Sequence, residues 1–276
     1  MTFDLHTHTR WSDGTTTPGV NAALAAEAGL RGVALTDHDT IGGWEEMAAT
    51  CARHGLEFVP GVELSTEADG RSIHLLGYWI DPDDDALGQE LVRLYGERAR
   101  RVATMVTQLR AAGVDVTLDQ VRAIADGAPL GRSHVAVALV EAGVVPNFQR
   151  AFDEWIGESQ PAYVSKRALP PRAGVKLIVA AGGVAVLAHP GRSGVSEELL
   201  DHLVVAGLAG VEADHSSHPE EVADRWRRRA AERGLLATGS SDFHGARKAV
   251  RIGERTTPGE VVEALRSRTG QEARSW

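Results

Sequence analysis

Seven short apolar runs recur along this 276-residue chain, and they limit its fold more than any other feature. They cover residues 3–8, 32–37, 57–63, 73–79, 184–189, 210–213 and 236–242. Longer amphipathic stretches separate most of them, as in βα units around a parallel sheet. Six of the seven runs carry His, Asp or Glu at or just past the C-terminal end, and in a parallel barrel these ends share one face. The pattern predicts an α/β barrel with a polar site at one mouth.

A helical texture interrupts these runs between residues 81 and 157. Apolar residues follow helical spacing up to Gly113, and residues 117–120 (Thr-Leu-Asp-Gln) have the pattern of a helix-capping box. Residues 131–143 and 148–157 predict two more helices. We therefore expect residues 1–80 and 161–276 to form the barrel and residues 81–160 to form a helical insertion that contributes substrate contacts.

Composition excludes several classes of function. The formal net charge is −9, which argues against stable binding of duplex nucleic acid. Cys51 is the one cysteine, so the chain can form neither a disulfide framework nor a thiolate metal cluster. No apolar run is long enough to span a bilayer, and the first residues lack the pattern of a signal peptide. These features predict a cytoplasmic protein without membrane contact.

The polar residues at the ends of the predicted strands have the chemistry of metal ligands. His6 and His8 stand two positions apart on a predicted strand, so both imidazoles face the same side. An isolated pair of this kind would be read equally well as two surface histidines. The set is larger, however, and burying so many charged groups without cations would be costly. The nine residues are His6, His8, Asp13, His38, Glu63, His74, His189, Asp242 and His244.

These motifs resemble those of the PHP (polymerase and histidinol phosphatase) family of metal-dependent phosphoesterases. The matching segments are residues 4–9, 12–14, 36–39, 61–63, 74–77, 188–190 and 241–245. Residues 131–134 (Gly-Arg-Ser-His) resemble a Gly-Arg-Pro-His segment of the branch that acts on nucleotides and short RNA, with Ser133 in place of proline. The resemblance implies a distorted (β/α)7 TIM-like barrel. The branch it indicates contains nucleoside 3′,5′-bisphosphate phosphatases and 5′→3′ exoribonucleases.

The resemblance also implies two to three divalent ions. One would be bound by His6, His8, Glu63 and Asp242, a second by Asp13, His38 and His244, and a third by Glu63, His74 and His189. Imidazole and carboxylate ligands suit Mn²⁺, Zn²⁺ or Fe²⁺, and the family favours Mn²⁺. A bridging water of lowered pKa would supply the hydroxide that attacks phosphorus.

Other residues are candidates for substrate binding or for positioning. Arg132 and His134 are candidate phosphate or nucleotide contacts, with ordinary helix-end polar residues as the alternative. Arg192, just after His189 and Pro190, is a further candidate phosphate contact. One of His215 and His218 is a candidate general acid or substrate contact, with His215 favoured as the acid and with capping or loop solvation as the alternative. Asp37 and Asp39 flank His38 and are expected to orient the metal ligands. Lys166 is expected to be a surface lysine.

The sequence therefore predicts a phosphoesterase that hydrolyses nucleoside 5′-monophosphates, 3′,5′-bisphosphates or short 5′-phosphorylated RNA. A histidinol-phosphate-type phosphatase is the nearest alternative, because it would share the metal site. An amidohydrolase is a weaker alternative, since no lysine ends a strong predicted strand. A non-catalytic metal-binding module is the alternative from another class, although such modules commonly lose ligands. The sequence leaves the oligomeric state open.

Overall fold

The computed structural model describes residues 1–165 and 167–270. The strands are β1 (Thr2–Asp4), β2 (Gly32–Leu35), β3 (Glu57–Ala68), β4 (Arg71–Tyr78), β5 (Val184–Leu187), β6 (Leu208–His215), β7 (Leu236–Ser240) and β8 (Thr257–Pro258). The helices are α1 (Pro18–Glu27), α2 (Trp44–His54), α3 (Asp85–Ala111), α4 (Leu118–Ala125), α5 (Arg132–Glu141), α6 (Phe148–Ala151), α7 (Pro171–Ala180), α8 (Pro190–Ser193), α9 (Glu197–Ala206), α10 (Glu220–Glu232) and α11 (Gly259–Arg266). A π-helical turn covers Phe152–Ile156, and a 3₁₀ turn covers Gly245–Arg247.

The strands form one sheet in the order β7-β6-β5-β4-β3-β2-β1-β8. The predicted parallel arrangement is wrong for β4, which runs antiparallel to both β3 and β5. The cause is local: Asp69 and Gly70 both have positive φ, of 51° and 75°, and they close a tight hairpin, whereas a parallel pair would need a longer crossover connection. One consequence is that the start of β4 lies at the same mouth as the ends of the parallel strands.

Contacts between β7, β8 and β1 bring the two edges of the sheet together. Thr257 of β8 donates from Oγ1 to the carbonyl of Gly239 and accepts from the Gly239 amide, at 2.7 and 2.8 Å. The buried Asp4 carboxylate accepts from the amides of Ser241 and Gly253 at 3.0 and 2.9 Å. The predicted TIM-like barrel is thereby confirmed, with a short eighth strand that the prediction lacked. No helix in residues 1–165 or 167–270 is both long and apolar enough to cross a membrane.

Alternating side chains along the strands pack into two separate cores. In β2, Val33 and Leu35 pack with the surrounding helices, whereas Ala34 belongs to a second cluster. That cluster draws buried residues from β1 to β6 and from α11, and it contains Leu76 and Tyr78 of β4. Because side chains alternate with a period of two, His74 lies on the same face of β4 as Leu76 and Tyr78. The inner face of the strands therefore leads from an apolar core to polar residues at the mouth.

Four helices between β4 and β5, α3 to α6, lie in the stretches where the sequence predicted helices, whereas α7 was not predicted. The capping box at α4 is confirmed: the Thr117 side chain accepts from the Gln120 amide, and the Gln120 side chain accepts from the Thr117 amide. Residues from α3 to α6 share a hydrophobic cluster of their own, separate from the barrel cores. The division of the chain into a barrel and an insertion at residues 81 and 160 stays a prediction.

Candidate metal centre

The nine predicted ligands converge at one mouth of the barrel. The predicted strand over residues 3–8 ends earlier than expected, at Asp4, but Thr7 still pairs with Phe243 in an isolated parallel bridge. This pairing places His6 and His8 beside the segment that carries Asp242 and His244. His38 forms a similar bridge with Glu63 beyond the end of β2.

Glu63 lies at the centre of the cluster and is almost fully buried. Its Oε2 atom lies 3.2 Å from His6 Nε2, 3.1 Å from His8 Nε2 and 3.0 Å from His38 Nδ1. Its Oε1 atom lies 2.7 Å from His74 Nδ1 and 2.9 Å from His189 Nε2. One carboxylate thus faces five imidazole rings, with three rings close to Oε2 and the other two close to Oε1. This is the arrangement expected of a carboxylate that bridges two cations.

A second group forms around Asp13 and Asp242. Asp13 Oδ1 lies 3.3 Å from His244 Nε2, 3.8 Å from His8 Nδ1 and 3.9 Å from His38 Nε2. Asp242 Oδ1 lies 3.3 Å from His8 Nε2. The geometry brings His8 close to both groups, whereas the prediction assigned it to one ion.

The donor atoms fit divalent cations. Predicted ligands form three groups, and within each group the ligand atoms lie within 4.8 Å of one another. The groups are His8, Asp13, His38 and His244; His6, His8 and Glu63; and His38, Glu63 and His74. Asp13 Oδ1 and His38 Nδ1 are buried, and their close contacts with His244 Nε2 and Glu63 Oε2 do not have the geometry of hydrogen bonds. The Nε2 atoms of His6 and His8 lie only 3.0 Å apart. Unsatisfied acceptors that point at a shared centre suit a bound ion better than a hydrogen-bonded core.

The pKa values of Glu63 and Asp13 also agree with a site for divalent cations. Burial alone would raise the pKa of Glu63, but the imidazoles of His38, His74 and His6 lower that pKa well below its usual value. Burial would likewise raise the pKa of Asp13, and His244 and His38 hold it well below the usual range. Both carboxylates are therefore ionised at neutral pH, as metal ligands must be.

Three residues at the site have backbone conformations that are uncommon for side chains other than glycine. Asp39, His189 and Asp242 have φ values of 55°, 27° and 55°. Such conformations cost free energy, and they persist only where surrounding contacts impose them. Three of the seven described residues of this kind thus lie at this mouth of the barrel, which favours a functional role for it.

Glu212 is a site residue that the sequence reasoning missed. It is fully buried, and its Oε1 atom lies 2.9 Å from His6 Nδ1, on the opposite side of the ring from Glu63. Its Oε2 atom accepts from the His189 amide at 2.7 Å, and its Oε1 atom also accepts from the Ser240 hydroxyl. A carboxylate behind a histidine fixes the orientation and tautomer of a metal ligand. The available signal was an acidic residue in the middle of an apolar predicted strand.

The two aspartates beside His38 hold loops rather than lie inside the cluster. Asp37 accepts from the Thr9 amide at 2.8 Å and from the Ser12 hydroxyl, so it fixes the loop between His8 and Asp13. Asp39 accepts from the Ser65 amide at 2.7 Å. Burial raises the pKa of Asp37 to about 6.

A cavity of about 410 Å³ opens above the cluster of predicted ligands around Glu63. It continues under the helical segment formed by α3 to α6. Asp13, Glu63 and Asp242 line it on the barrel side, and Glu158 is a fourth carboxylate in its wall. Its cationic lining is formed by Arg98, Arg101, Arg132, Arg192, Arg247 and Lys248. Arg98, Arg101, Arg247 and Lys248 were not predicted, because isolated basic residues on helices and loops give no sequence signal. The cavity is suited to an anionic ligand.

The remaining predicted residues have distinct positions. Arg132 and Arg192 line the cavity. His134 is buried behind the wall, where its Nδ1 atom accepts from the Gly131 amide at 3.1 Å. His215 Nδ1 accepts from the Ser217 amide at 3.0 Å, so the neutral ring carries its proton on Nε2, which lies 3.2 Å from Asp242 Oδ2. Lys166 lies outside the described residues.

Comparison with known proteins agrees with this geometry. Residues 4–123 match the model of the PHP domain family. The chain is 36% identical over 247 residues to a 3′,5′-nucleoside bisphosphate phosphatase of Chromobacterium violaceum, covering 88% of this chain and 87% of the relative. It is 32% identical to a 5′-3′ exoribonuclease of Haemophilus influenzae, covering 88% and 89%. A structure from Bifidobacterium adolescentis, assigned to the metal-dependent phosphoesterases, has a TM-score of 0.91 at 33% identity and covers 98% of this chain and 96% of that one.

Fold, site and comparisons together define a metal-dependent hydrolase of phosphoric esters. The chain belongs to the PHP family.

Proposed function

We propose that this enzyme hydrolyses phosphate esters of nucleotides: nucleoside 3′,5′-bisphosphates, 5′-monophosphates or short 5′-phosphorylated RNA. The observation that carries the proposal is the shared cavity, which joins the cluster around Glu63 to arginines of the helical segment. A phosphate can lie at the cluster while the rest of a nucleotide extends under the helices. The two relatives named above as a nucleotide phosphatase and an exoribonuclease support this class of substrate.

The metal ligands we propose are the nine predicted residues, with Mn²⁺ as the favoured ion and two to three ions per chain. When bound, such ions activate water and neutralise the charge that develops on phosphoryl oxygens. His6 and His8 are held in place by contacts of their other ring nitrogens, His6 by Glu212 and His8 by Ser12 at 3.3 Å. This orientation leaves both Nε2 atoms facing Glu63 Oε2.

The cationic side of the cavity would bind the substrate. Arg132 and Arg192 remain the proposed phosphate contacts, joined by Arg247 and Lys248, which lie beside the cluster. Lys248 also donates to Asp242, and Arg247 donates to the carbonyl of Asp13. The contact of His215 with Asp242 favours a role for His215 in holding that carboxylate in place. A general-acid role for His215 stays a prediction. A role for His134 in binding substrate also stays a prediction.

A panel of substrates with Mn²⁺ tests the proposal. It contains a generic phosphate ester, 5′-AMP, 3′-AMP, a nucleoside 3′,5′-bisphosphate, short 5′-phosphorylated RNA and histidinol phosphate. We expect the nucleotides or the RNA to have a kcat/KM well above that of the generic ester. Preference for histidinol phosphate, or turnover of an amide or nucleobase instead, would contradict the proposal. Metal binding without any turnover would indicate a non-catalytic module. The cytoplasmic location and the lack of stable duplex binding stay predictions.

A further inference from the structure

We propose that Glu212 of β6 is a positioning residue that decides whether two of the proposed ions bind. One of its oxygens holds His6, a proposed ligand of the first ion, and the other holds His189, a proposed ligand of the third. Glu63 is shared by these two ions, whereas the second ion, at Asp13, does not depend on Glu212. This inference rests on the ligand set of the proposed function, and it adds a residue from a strand that supplies none of the nine ligands.

Glu212 faces the inside of the barrel, next to the ligand cluster. Its neighbour Val211 packs with the helices around the barrel, and successive side chains of a strand point to opposite faces. Glu212 is fully buried. A buried carboxylate costs free energy unless donors satisfy its oxygens, so the donors around Glu212 indicate what it does.

The first donor is the ring of His6. Its Nδ1 atom lies 2.9 Å from Glu212 Oε1, while its Nε2 atom lies 3.2 Å from Glu63 Oε2. An imidazole that binds a cation through Nε2 carries its proton on Nδ1, where the proton needs an acceptor. Glu212 supplies this acceptor, so it keeps His6 in the tautomer and the orientation that a metal ligand requires.

The second donor is the backbone amide of His189, which donates to Glu212 Oε2 at 2.7 Å. His189 has a φ of 27°, a conformation that persists only where surrounding contacts impose it. Its Nε2 atom lies 2.9 Å from Glu63 Oε1, but its Nδ1 atom is buried without a hydrogen-bond partner in the described chain. The ring is therefore placed by the backbone, and Glu212 holds that backbone.

These two contacts require a carboxylate, and an amide of the same shape does not satisfy them. Both oxygens of Glu212 accept, whereas glutamine has one acceptor oxygen and one NH2 group that only donates. In Glu212→Gln, either His6 Nδ1–H or the His189 amide therefore faces another donor. The ring or the backbone must then move, which misplaces a ligand although the volume of the side chain is unchanged.

A role for Glu212 as a metal ligand is the alternative, because Glu212, His6 and His215 have donor atoms within 4.8 Å of one another. Two observations oppose it. The oxygens of Glu212 already accept from His6, from the His189 amide and from the Ser240 hydroxyl. His215 Nδ1 accepts from the Ser217 amide at 3.0 Å, so the neutral ring carries a proton on Nε2 and offers no free lone pair there.

Metal analysis and calorimetric titration with Mn²⁺ test the proposal on Glu212→Gln. We expect at least one of the ions that share Glu63 to bind about 10- to 100-fold more weakly, the usual effect of removing a group that orients a ligand. Binding of the ion at Asp13 should stay within about twofold. Asp13→Asn should lose this other ion instead, and the double variant should show both losses. If Asp13→Asn removed no further metal from Glu212→Gln, the proposal would be overturned.

Ser240→Ala is the matched control, because it removes a buried hydroxyl that donates to Glu212 and leaves both acceptor oxygens in place. It should bind Mn²⁺ like the wild type. Urea unfolding of the chelator-treated proteins should show similar midpoints for wild type and Glu212→Gln, whereas added Mn²⁺ should raise the midpoint of the wild type more. Glu212→Asp keeps the charge and shortens the side chain, and it should weaken the same ions even if Glu212→Gln failed to fold.

Three results would contradict a positioning role. Equal weakening of all ions, or the same loss in Ser240→Ala, would mean that Glu212 serves the fold. Unchanged Mn²⁺ binding in Glu212→Gln would mean that it positions neither histidine. A fourth ion in the wild type that alone disappears in Glu212→Gln would make Glu212 a ligand. None of these measurements needs turnover, so they decide the inference even if no substrate in the panel were hydrolysed and the proposed function failed.

Discussion

Arg98 of α3 donates from Nε to Asp39 Oδ2 across 2.7 Å, which joins the helical segment to the loop that carries His38. The Arg98 Nη2 atom also lies 3.2 Å from Ser65 Oγ, and Ser65 donates to the same carboxylate at 2.8 Å. The Asp39 amide in turn donates to the Glu63 carbonyl at 3.0 Å. Through Arg98, helix α3 thus fixes the loop that carries His38 and the strand that carries Glu63.

The first prediction concerns this buried ion pair. Arg98→Met should lower the free energy of unfolding by about 2–4 kcal/mol, because it leaves the buried Asp39 carboxylate without this cation. It should also reduce Mn²⁺ content, since the loop of His38 loses its anchor. Urea unfolding and metal analysis measure the two effects.

Arg100 provides the matched control on the same helix. It is exposed and pairs with Glu97 at the surface, so Arg100→Met should change the free energy of unfolding by less than about 0.5 kcal/mol. Equal stability of Arg98→Met and Arg100→Met, with full metal content in both, would show that the Asp39 contact positions nothing.

The second prediction concerns the role of Glu63 in metal binding. Glu63→Ala should lose most bound metal and nearly all phosphoesterase activity while it stays folded at moderate temperature, because both groups of imidazoles lose their shared carboxylate. Metal analysis and circular dichroism test this on one sample. Full metal content in the Glu63→Ala protein would refute the assignment. Glu67→Ala, on the same strand and outside the cavity lining, is the control.

The barrel and the ligand cluster were predictable because each depends on local patterns that repeat. Each strand is an apolar run, and a polar residue at its end, such as His38 or His189, stands out against its neighbours. The reversed strand β4 was not predictable from that rule, since its direction depends on the turn at Asp69 and Gly70. His74 was still found, because an antiparallel strand begins where its parallel neighbours end.

The cationic half of the cavity depends on tertiary packing and was only partly predictable. Arg132 was found through a motif, whereas Arg98 and Arg101 stand three positions apart on a long helix of ordinary composition. Helical spacing shows that they share a face but not what that face covers. Glu212 was missed for a related reason, because its partner His6 is 206 positions away in the sequence.

The third prediction uses the pH dependence of His134. Burial, with a smaller contribution from Arg247, lowers the pKa of His134 to about 4 from its ordinary value of 6.5. The folded protein therefore binds fewer protons than the unfolded chain between these values. The neutral His134 ring contributes its full stabilisation above pH 6.5, and this stabilisation is lost as the pH falls toward 4. At pH 5 the free energy of unfolding is lower by about 2 kcal/mol for this reason.

His134→Asn isolates this effect, since the asparagine Oδ1 atom can accept the Gly131 amide without titrating. Urea unfolding at pH 7.5 and pH 5 should show that the wild type loses about 2 kcal/mol more than the variant between the two conditions. Identical losses in the two proteins would mean that His134 is not held neutral.

The fourth prediction concerns domain organisation. Residues 1–80 include β1 to β4, but β4 pairs with β5 and β1 pairs with β8, both outside this fragment. The fragment expressed alone should therefore show no cooperative thermal transition, because it exposes two sheet edges and half of the barrel core. A sharp transition with a normal enthalpy would show that the first 80 residues are an independent domain.

The last prediction concerns Arg132, whose guanidinium lies 5.5 Å from the centroid of the Phe152 ring and lines the cavity. The metal centre can recognise any phosphate ester, so selection for nucleotides must come from groups farther along the cavity. A guanidinium grips a phosphate through two parallel hydrogen bonds, which the ammonium of lysine cannot do. Arg132→Ala should therefore lower kcat/KM for the nucleotide about 10- to 100-fold, as expected for a lost charged hydrogen bond of ~1.5–3 kcal/mol.

Arg132→Lys should recover only part of this loss, and hydrolysis of a generic phosphate ester should be unchanged in both variants. Arg150→Ala is the control, because Arg150 is an exposed arginine that pairs with Glu154 at the surface of α6. Equal losses on both substrates would mean that Arg132 serves the chemistry or the fold. No loss on either would mean that Arg132 is an ordinary polar residue at the start of a helix.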